Sequence, residues 1–191
     1  MRIISGKLKG RRYDMPSEGW KTRPTTDIAR EGLFNILQHS IVLDDIIVLD
    51  LFAGSGSVGY EFLSRAAEKV TFVDKFGGCI NFIKKNLKIF DIEANAEVIK
   101  SDVFQFLQKL PAESYDIIFA DPPYADHEMM KIPDLVFEKN LLKDEGLLII
   151  EHDERHNFEK HSNFVELRKY GQSQFSFFLN QTDGPSFPLS V

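Results

Sequence analysis

The sequence predicts an α/β fold with a mostly parallel sheet, and three observations predict it. Short apolar runs recur along the chain, separated by segments of helical length. The first run leads directly into Gly54-Ser55-Gly56-Ser57-Val58-Gly59, and a later one leads into Asp121-Pro122-Pro123-Tyr124. Strands alternating with helices imply right-handed crossovers and a sheet covered on both faces. Ligands of such sheets bind at the carboxyl ends of the strands, where both motifs fall.

From the N-terminus, residues 2–13 read as two short strands around Gly6-Lys7-Leu8-Lys9-Gly10, a hairpin outside the main repeat. Residues 15–24 form a loop carrying Pro16, Gly19, Trp20 and Pro24. Thr26 or Asp27 caps a helix running to about His39, with Ile28, Leu33, Phe34, Ile36 and Leu37 on its apolar face. Parallel strands are expected over residues 46–51, 69–74, 96–100, 115–120 and 146–151. Residues 164–170 and 174–180, joined by Gly171-Gln172-Ser173, read as a terminal antiparallel hairpin. The expected division is a basic extension over 1–40, a ligand-binding domain over 41–183 and a frayed tail over 184–191.

At 191 residues and 43% hydrophobic, the chain suffices for one well-buried domain with small additions. Its apolar stretches are strand-length, so no membrane span is expected. Lys7, Lys9, Arg11 and Arg12 interrupt any signal-peptide core. The single cysteine, Cys79, excludes an internal disulfide and fits a reducing cytoplasm; with no histidine or base beside it, it reads as a buried side chain. The net charge of −6 is unevenly distributed. Residues 1–30 hold eight Lys/Arg against three acids, a basic arm of +5 on a body of −11. Such asymmetry steers a polyanion to one face, although a merely solvated segment would look the same.

Gly54, Gly56 and Gly59 match G-x-G-x-x-G in the strand–turn–helix context the motif needs. Asp74, at the end of the next strand and 24 positions after Asp50, is placed for ribose hydroxyls. A nucleoside cofactor is therefore expected. A dinucleotide would bring its pyrophosphate beside this turn, where the Asp50 charge opposes it. S-adenosylmethionine has no phosphate and carries a sulfonium and an α-ammonium, which Asp50 suits. Asp102 is placed to accept the adenine amine, and the Val103 N–H to meet a ring nitrogen. Phe52, Ala53 and Lys75 complete the expected cofactor set. As purely structural alternatives, Asp102 would cap the following helix and Asp74 the following turn.

At Asp121-Pro122-Pro123-Tyr124 the prolines remove two N–H donors and leave carbonyl acceptors. Asp121 and the Pro122 carbonyl can accept both N–H bonds of an exocyclic amine, and Tyr124 can stack on the base. Charge growing on the nitrogen during methyl transfer is then stabilised by the carboxylate. No metal is required. His152, Asp153 and His156 imitate a metal cluster but lack a third ligand at dependable spacing and read as a polar loop. Arg2, Lys7, Lys9, Arg11, Arg12, Trp20, Arg23 and Thr25 are the expected nucleic-acid contacts, with Tyr13 as a further stacking residue.

Residues 1–12, Arg23-Pro24-Thr25, residues 30–37, residues 49–56 and Asp121-Pro122-Pro123-Tyr124 closely resemble the bacterial methyltransferases that modify a guanine N2 in 16S ribosomal RNA. The likeness runs to about Glu151. It implies a seven-stranded, Rossmann-like class I methyltransferase sheet that binds S-adenosylmethionine, and action on an assembled small-subunit particle; a cytoplasmic monomer is expected. In that pattern Asp50, the glycine turn, Asp74 and Asp102 hold cofactor, while Asp121 and Tyr124 face the base. Asp74 stands where glutamate is commoner, and residues 57–62 are bulkier than usual. Alternatives carrying the same motifs are a DNA adenine N6-methyltransferase and a nucleic-acid-binding module with a retained cofactor fold.

Overall fold

Thr26 accepts a hydrogen bond from the Ala29 N–H at 3.2 Å and caps the first helix, α1 (Asp27–Ser40), a role suited to its hydroxyl. The computed structural model describes residues 1–14, 26–123 and 127–180. The expected loop over 15–24, Trp20, Arg23, Thr25, Tyr124 and the tail lie outside the described residues. After α1 the chain alternates: β1 (Ile47–Leu51), α2 (Ser57–Ser64), β2 (Lys69–Asp74), α3 (Gly77–Phe90), β3 (Ala96–Lys100), α4 (Val103–Leu107), β4 (Tyr115–Ala120), α5 (Ile132–Glu138) and β5 (Leu142–His152). The hairpin β6 (Phe164–Tyr170) and β7 (Ser173–Leu179) completes a seven-stranded sheet in the order β3-β2-β1-β4-β5-β7-β6. β1 to β5 are parallel, and β7 pairs antiparallel with both neighbours.

Side chains alternate between the two faces of each strand, and two cores follow. Val48, Phe72, Ile117, Phe119, Ile149 and Phe175 pack under Phe34, Phe62 and Ile83 from α1, α2 and α3. Leu49, Val73, Ile118, Leu148, Ile150 and Phe178 pack on the opposite face with Leu107 of α4 and Val136 of α5. Among the described residues no helix is long and apolar enough to cross a membrane.

The N-terminal segment is docked on α2. Lys7 N–H donates to the Ser64 carbonyl at 2.7 Å, Leu8 N–H to Ser64 Oγ at 3.0 Å, and Ile4 N–H to Glu61 Oε1 at 2.6 Å. Gly6 has φ +81°, and a Cβ there would lie 1.9 Å from the Ser64 carbonyl oxygen. Only glycine permits this approach. Beneath the segment Glu61 is buried between two cations, forming ion pairs with Arg65 and with Arg30 Nε at 3.4 Å. The Arg65 guanidinium lies 4.3 Å from the centroid of the Phe34 ring.

Four expectations change here. The two N-terminal strands reduce to one antiparallel bridge, Arg2↔Arg12, flanked by hydrogen bonds from Ile3 N–H to the Arg11 carbonyl and from Gly10 N–H to the Ile3 carbonyl, while the Ile4, Lys7 and Leu8 amides turn to α2. Ile28 is 76% exposed; α1 presents Ala29, Arg30, Leu33, Phe34 and Leu37 to the core instead. Arg30, counted with the basic arm, is fully buried, pairing with Asp27 at 2.9 Å and donating to the Arg2 carbonyl at 2.7 Å. Tyr13 is a core residue, its ring 5.4 Å from that of Tyr60 and 6.0 Å from that of Phe90, so it has no free face for a base. Cys79 is buried as expected.

Glu61→Gln keeps the shape of the side chain but leaves Arg30 and Arg65 without their shared counter-charge. Breaking a buried pair in this way costs about 3–5 kcal/mol. Urea denaturation should show a loss of that size; a loss below about 1 kcal/mol would show that the pairing is not what fastens the segment.

Candidate active site

Register places the acidic residues before any side-chain detail is considered. Phe72, Asp50, Phe119 and Ile149 are successive neighbours across β2, β1, β4 and β5. Asp50 therefore shares a sheet face with Phe72 and Phe119, and two residues further along that face come Asp74, Asp121 and Glu151. Strand order reverses between β1 and β4, so the crevice at the switch point opens beside Asp50 and Asp121. The Asp121 N–H points back to the Leu51 carbonyl at 3.4 Å, holding the two strand ends together.

The glycine turn is fastened from within. Asp74 accepts the Gly54 N–H at 2.9 Å and the Phe76 N–H at 2.8 Å. Asp50 accepts the Gly59 N–H at 3.1 Å, in the first turn of α2. The Ala53 N–H goes to the Val73 carbonyl at 3.0 Å and the Gly56 N–H to the Ala53 carbonyl at 2.7 Å. A Cβ on Gly59 would lie 2.1 Å from the Phe72 ring, so this residue brings helix and strand into contact. Four amides of the turn and of the first turn of α2 are thus engaged by protein acceptors, two of them carboxylates.

Phe52 has a φ of 56°, a left-handed conformation that costs a non-glycine residue roughly 1–2 kcal/mol. It sets the half-buried Phe52 ring edge-on to Phe104 at 6.4 Å. The two rings form an apolar rim beside buried Val103, where a planar ring could rest. Asp102 caps α4 by accepting the Gln105 N–H at 3.1 Å, so its capping role is realised. The Ser101 N–H donates to the Asp74 carbonyl at 3.1 Å and joins the ends of β2 and β3.

Burial pushes the Asp50 carboxyl well above the usual carboxylate range; the Gly59 N–H opposes the rise and Asp74 adds to it. Asp121 is also pushed well above that range, first by the protein atoms crowding it, then by the charges of Glu151 and Asp50. It keeps a partial opening to solvent. The charges that bear on this pair are all negative. Such a donor set fits a sulfonium and an ammonium and opposes a pyrophosphate.

The structure thus brings Asp50, Phe52, Ala53, Gly54, Gly56, Asp74, Asp102, Val103 and Asp121 to one edge, with Pro122 buried behind. Lys75 is exposed, with Nζ 5.4 Å from the Phe76 ring centroid. Arg2, Lys7, Lys9, Arg11 and Arg12 are all exposed on the docked segment. Met1 Sδ, at its start, lies 3.9 Å from Ser55 Oγ of the glycine turn. His152 bonds Ser176 Oγ at 2.7 Å and the Asp153 carbonyl at 2.8 Å. Sequence reasoning missed Phe104, and it placed Glu151 at a strand end but read it as structural or loop-positioning. The available signal for Glu151 was a charge closing an uninterrupted apolar run, Leu147-Leu148-Ile149-Ile150.

Fold and donor set together define a class I S-adenosylmethionine-dependent methyltransferase. The family model described as Conserved hypothetical protein 95 matches residues 1–179, and the chain belongs to that family. Ribosomal RNA small subunit methyltransferase D of Haemophilus influenzae is 39% identical over 154 residues, covering 79% of this chain and 78% of that protein. The protein of the same name from Escherichia coli is 36% identical over 151 residues, 79% of this chain and 74% of its own length. The solved structure of Escherichia coli yhhF superposes with a TM-score of 0.81 at 32% identity, covering 94% of this chain and 97% of that one.

The raised Asp50 carboxyl has a stability consequence. The folded chain holds this proton more tightly than the unfolded chain. Its contribution is therefore complete below the ordinary carboxylate value and is lost as pH rises through the folded value. Asp50→Asn, which keeps an acceptor for Gly59, should melt above the ligand-free wild type at neutral pH, with the gap closing as pH falls below the ordinary carboxylate range. Melting curves across that interval check this; a wild type that is the more stable at neutral pH would contradict it.

Proposed function

We propose that this chain transfers a methyl group from S-adenosylmethionine to the exocyclic N2 amine of a guanine in 16S ribosomal RNA. The observation carrying this reading is the gathering of Asp50, Asp74, Asp102 and Asp121 at one sheet edge, with Asp50 and Asp74 accepting amides of the glycine turn and of α2. The names of the two ribosomal RNA methyltransferases above support RNA as the substrate. When bound, the cofactor supplies a methyl group on a positively charged sulfur.

The chain's own residues do the rest. Asp50 faces the cofactor's positive charge, Asp74 the ribose, Asp102 the adenine amine and the Val103 N–H a ring nitrogen. Phe52, Ala53, Gly54 and Gly56 shape the turn around it, with Lys75 at the rim. Asp121 and the Pro122 carbonyl accept the two N–H bonds of the guanine amine, turning its nitrogen towards the methyl carbon. Tyr124 stacks on the base. In-line alignment supplies much of the acceleration, and the Asp121 carboxylate stabilises charge developing on nitrogen.

A guanine in folded RNA reaches this edge only when unstacked or extruded. Arg2, Lys7, Lys9, Arg11 and Arg12 hold the surrounding phosphates, joined by Trp20, Arg23 and Thr25. The substrate is the small-subunit particle in the cytoplasm, and the enzyme acts as a monomer.

Mass mapping of ribosomal RNA from cells lacking the protein tests this. Loss of one N2-methylguanine from the small subunit is expected. Re-expressed wild type should restore it, and Asp121→Ala should not, its methyl transfer falling on the order of a hundredfold or more while cofactor binding persists. An unchanged modification map, or restoration by Asp121→Ala, would overturn the assignment.

A further inference from the structure

Glu151 closes β5 with a carboxylate that the chemistry above leaves unused, although it is only 2% exposed. The parallel ladder runs Ile118↔Leu148, Phe119↔Ile149, Ala120↔Ile150. Its next step sets Asp121 beside Glu151. Alternation puts both on the face shared by Phe119 and Ile149, the face that also carries Asp50. On the other side Glu151 is fixed in register with Phe175 of β7. Its place beside Asp121 therefore follows from pairing on both flanks of β5.

We propose that Glu151 is a positioning residue for the methyl transfer: standing against Asp121 at adjoining strand ends, it makes Asp121 the group that takes the proton the amine gives up. This rests on the proposed reaction. As the bond from nitrogen to the methyl carbon forms and the carbon–sulfur bond breaks, the electron pair leaves on sulfur. The nitrogen then carries one proton too many, and that proton passes to a carboxylate oxygen of Asp121, leaving a neutral N-methyl base. An ordinary carboxylate is a weak acceptor. Two carboxylates side by side cannot both ionise readily, so one holds a proton more tightly than either would alone.

The groups surrounding this pair agree with the assignment. Glu151 from β5 and Asp50 from β1 both raise the proton affinity of Asp121, and Asp74 at the end of β2 bears in turn on Asp50. His152, the next residue of β5, is engaged by Ser176 of β7 and by the Asp153 carbonyl. Burial also lowers its proton affinity.

The test titrates carboxyl carbons by NMR in the ligand-free, full-length protein labelled at Asp and Glu. The midpoint of Asp121 should move to lower pH in Glu151→Gln. Reciprocally, the midpoint of Glu151 should move to lower pH in Asp121→Asn, which keeps a reading should Glu151→Gln fail to fold. Midpoints unchanged in whichever variants fold would overturn the proposal. In turnover, the acidic limb of kcat should move to lower pH in Glu151→Gln and the plateau should fall by about tenfold, with the KM for cofactor held within about twofold. A lower melting temperature with an unmoved limb would mean that Glu151 only supports the fold, and would also overturn it. If the wild type methylates no guanine, the proposed reaction fails; the titration still decides whether the pair is coupled.

Discussion

The pairing of β1 with β4 is the constraint on which the rest depends. The two strands are parallel and in register from Val48↔Ile117 to Leu51↔Ala120, yet the crossovers leaving them run in opposite directions along the sheet. Neither crossover can cover the gap between the strand ends. Residues that follow each strand, the glycine turn after β1 and Asp121 after β4, therefore face one crevice. Because side chains alternate with period two, one register decides that Asp50, Asp121 and Glu151 share a face. A slip of one residue in β4 would send Asp121 to the α4 and α5 side and leave a backbone edge without a charge.

Burying the carboxyls of Asp50 and Asp121, on which only negative charges bear, is unfavourable in the free protein, and the fold tolerates it through the hydrophobic cores on both sides of the sheet. Asp50 and Asp74 recover part of the loss by accepting amides of the turn that they shape. The same bonds fix the shape of the turn and set two carboxylates against it, which disfavours a phosphate there. The negative charges that favour a cationic nucleoside over a dinucleotide are thus built into the fold itself. Perturbed carboxyls in a crevice are the usual mark of a functional site, and here burial is the first cause at both Asp50 and Asp121, with neighbouring carboxylates adding to it.

Glu61 performs the complementary task for the N-terminus. It draws Arg30 and Arg65 into the interior and holds the Ile4 backbone, so the segment carrying Lys7, Lys9, Arg11 and Arg12 is attached to the helix that begins at the glycine turn. A polyanion held by those exposed cations meets a surface with fixed geometry relative to the cofactor edge. Ordering a free arm would otherwise oppose binding through lost backbone entropy. The segment carrying those cations is thus joined by hydrogen bonds to the helix that follows the glycine turn.

The strands, the glycine turn and the acidic residues ending β1, β2 and β4 were legible in the sequence, because period-two alternation and turn chemistry are local signals. The class of fold and the cofactor agree with the relatives. What was not legible depends on distant partners. Tyr13 and Arg30 look like surface groups until Tyr60, Phe90 and Glu61, all far away in the chain, enclose them. Ile28 looks like a core residue until α1 settles on the face beside it. Glu151 gains its meaning only from its cross-strand neighbour, and the engagement of the turn amides has no sequence signature at all. Calorimetric titration of the ligand-free protein with S-adenosylmethionine, and separately with NAD, tests the central claim most directly. Binding of S-adenosylmethionine with no detectable heat from NAD is the result this geometry predicts, and binding of NAD without S-adenosylmethionine would contradict it.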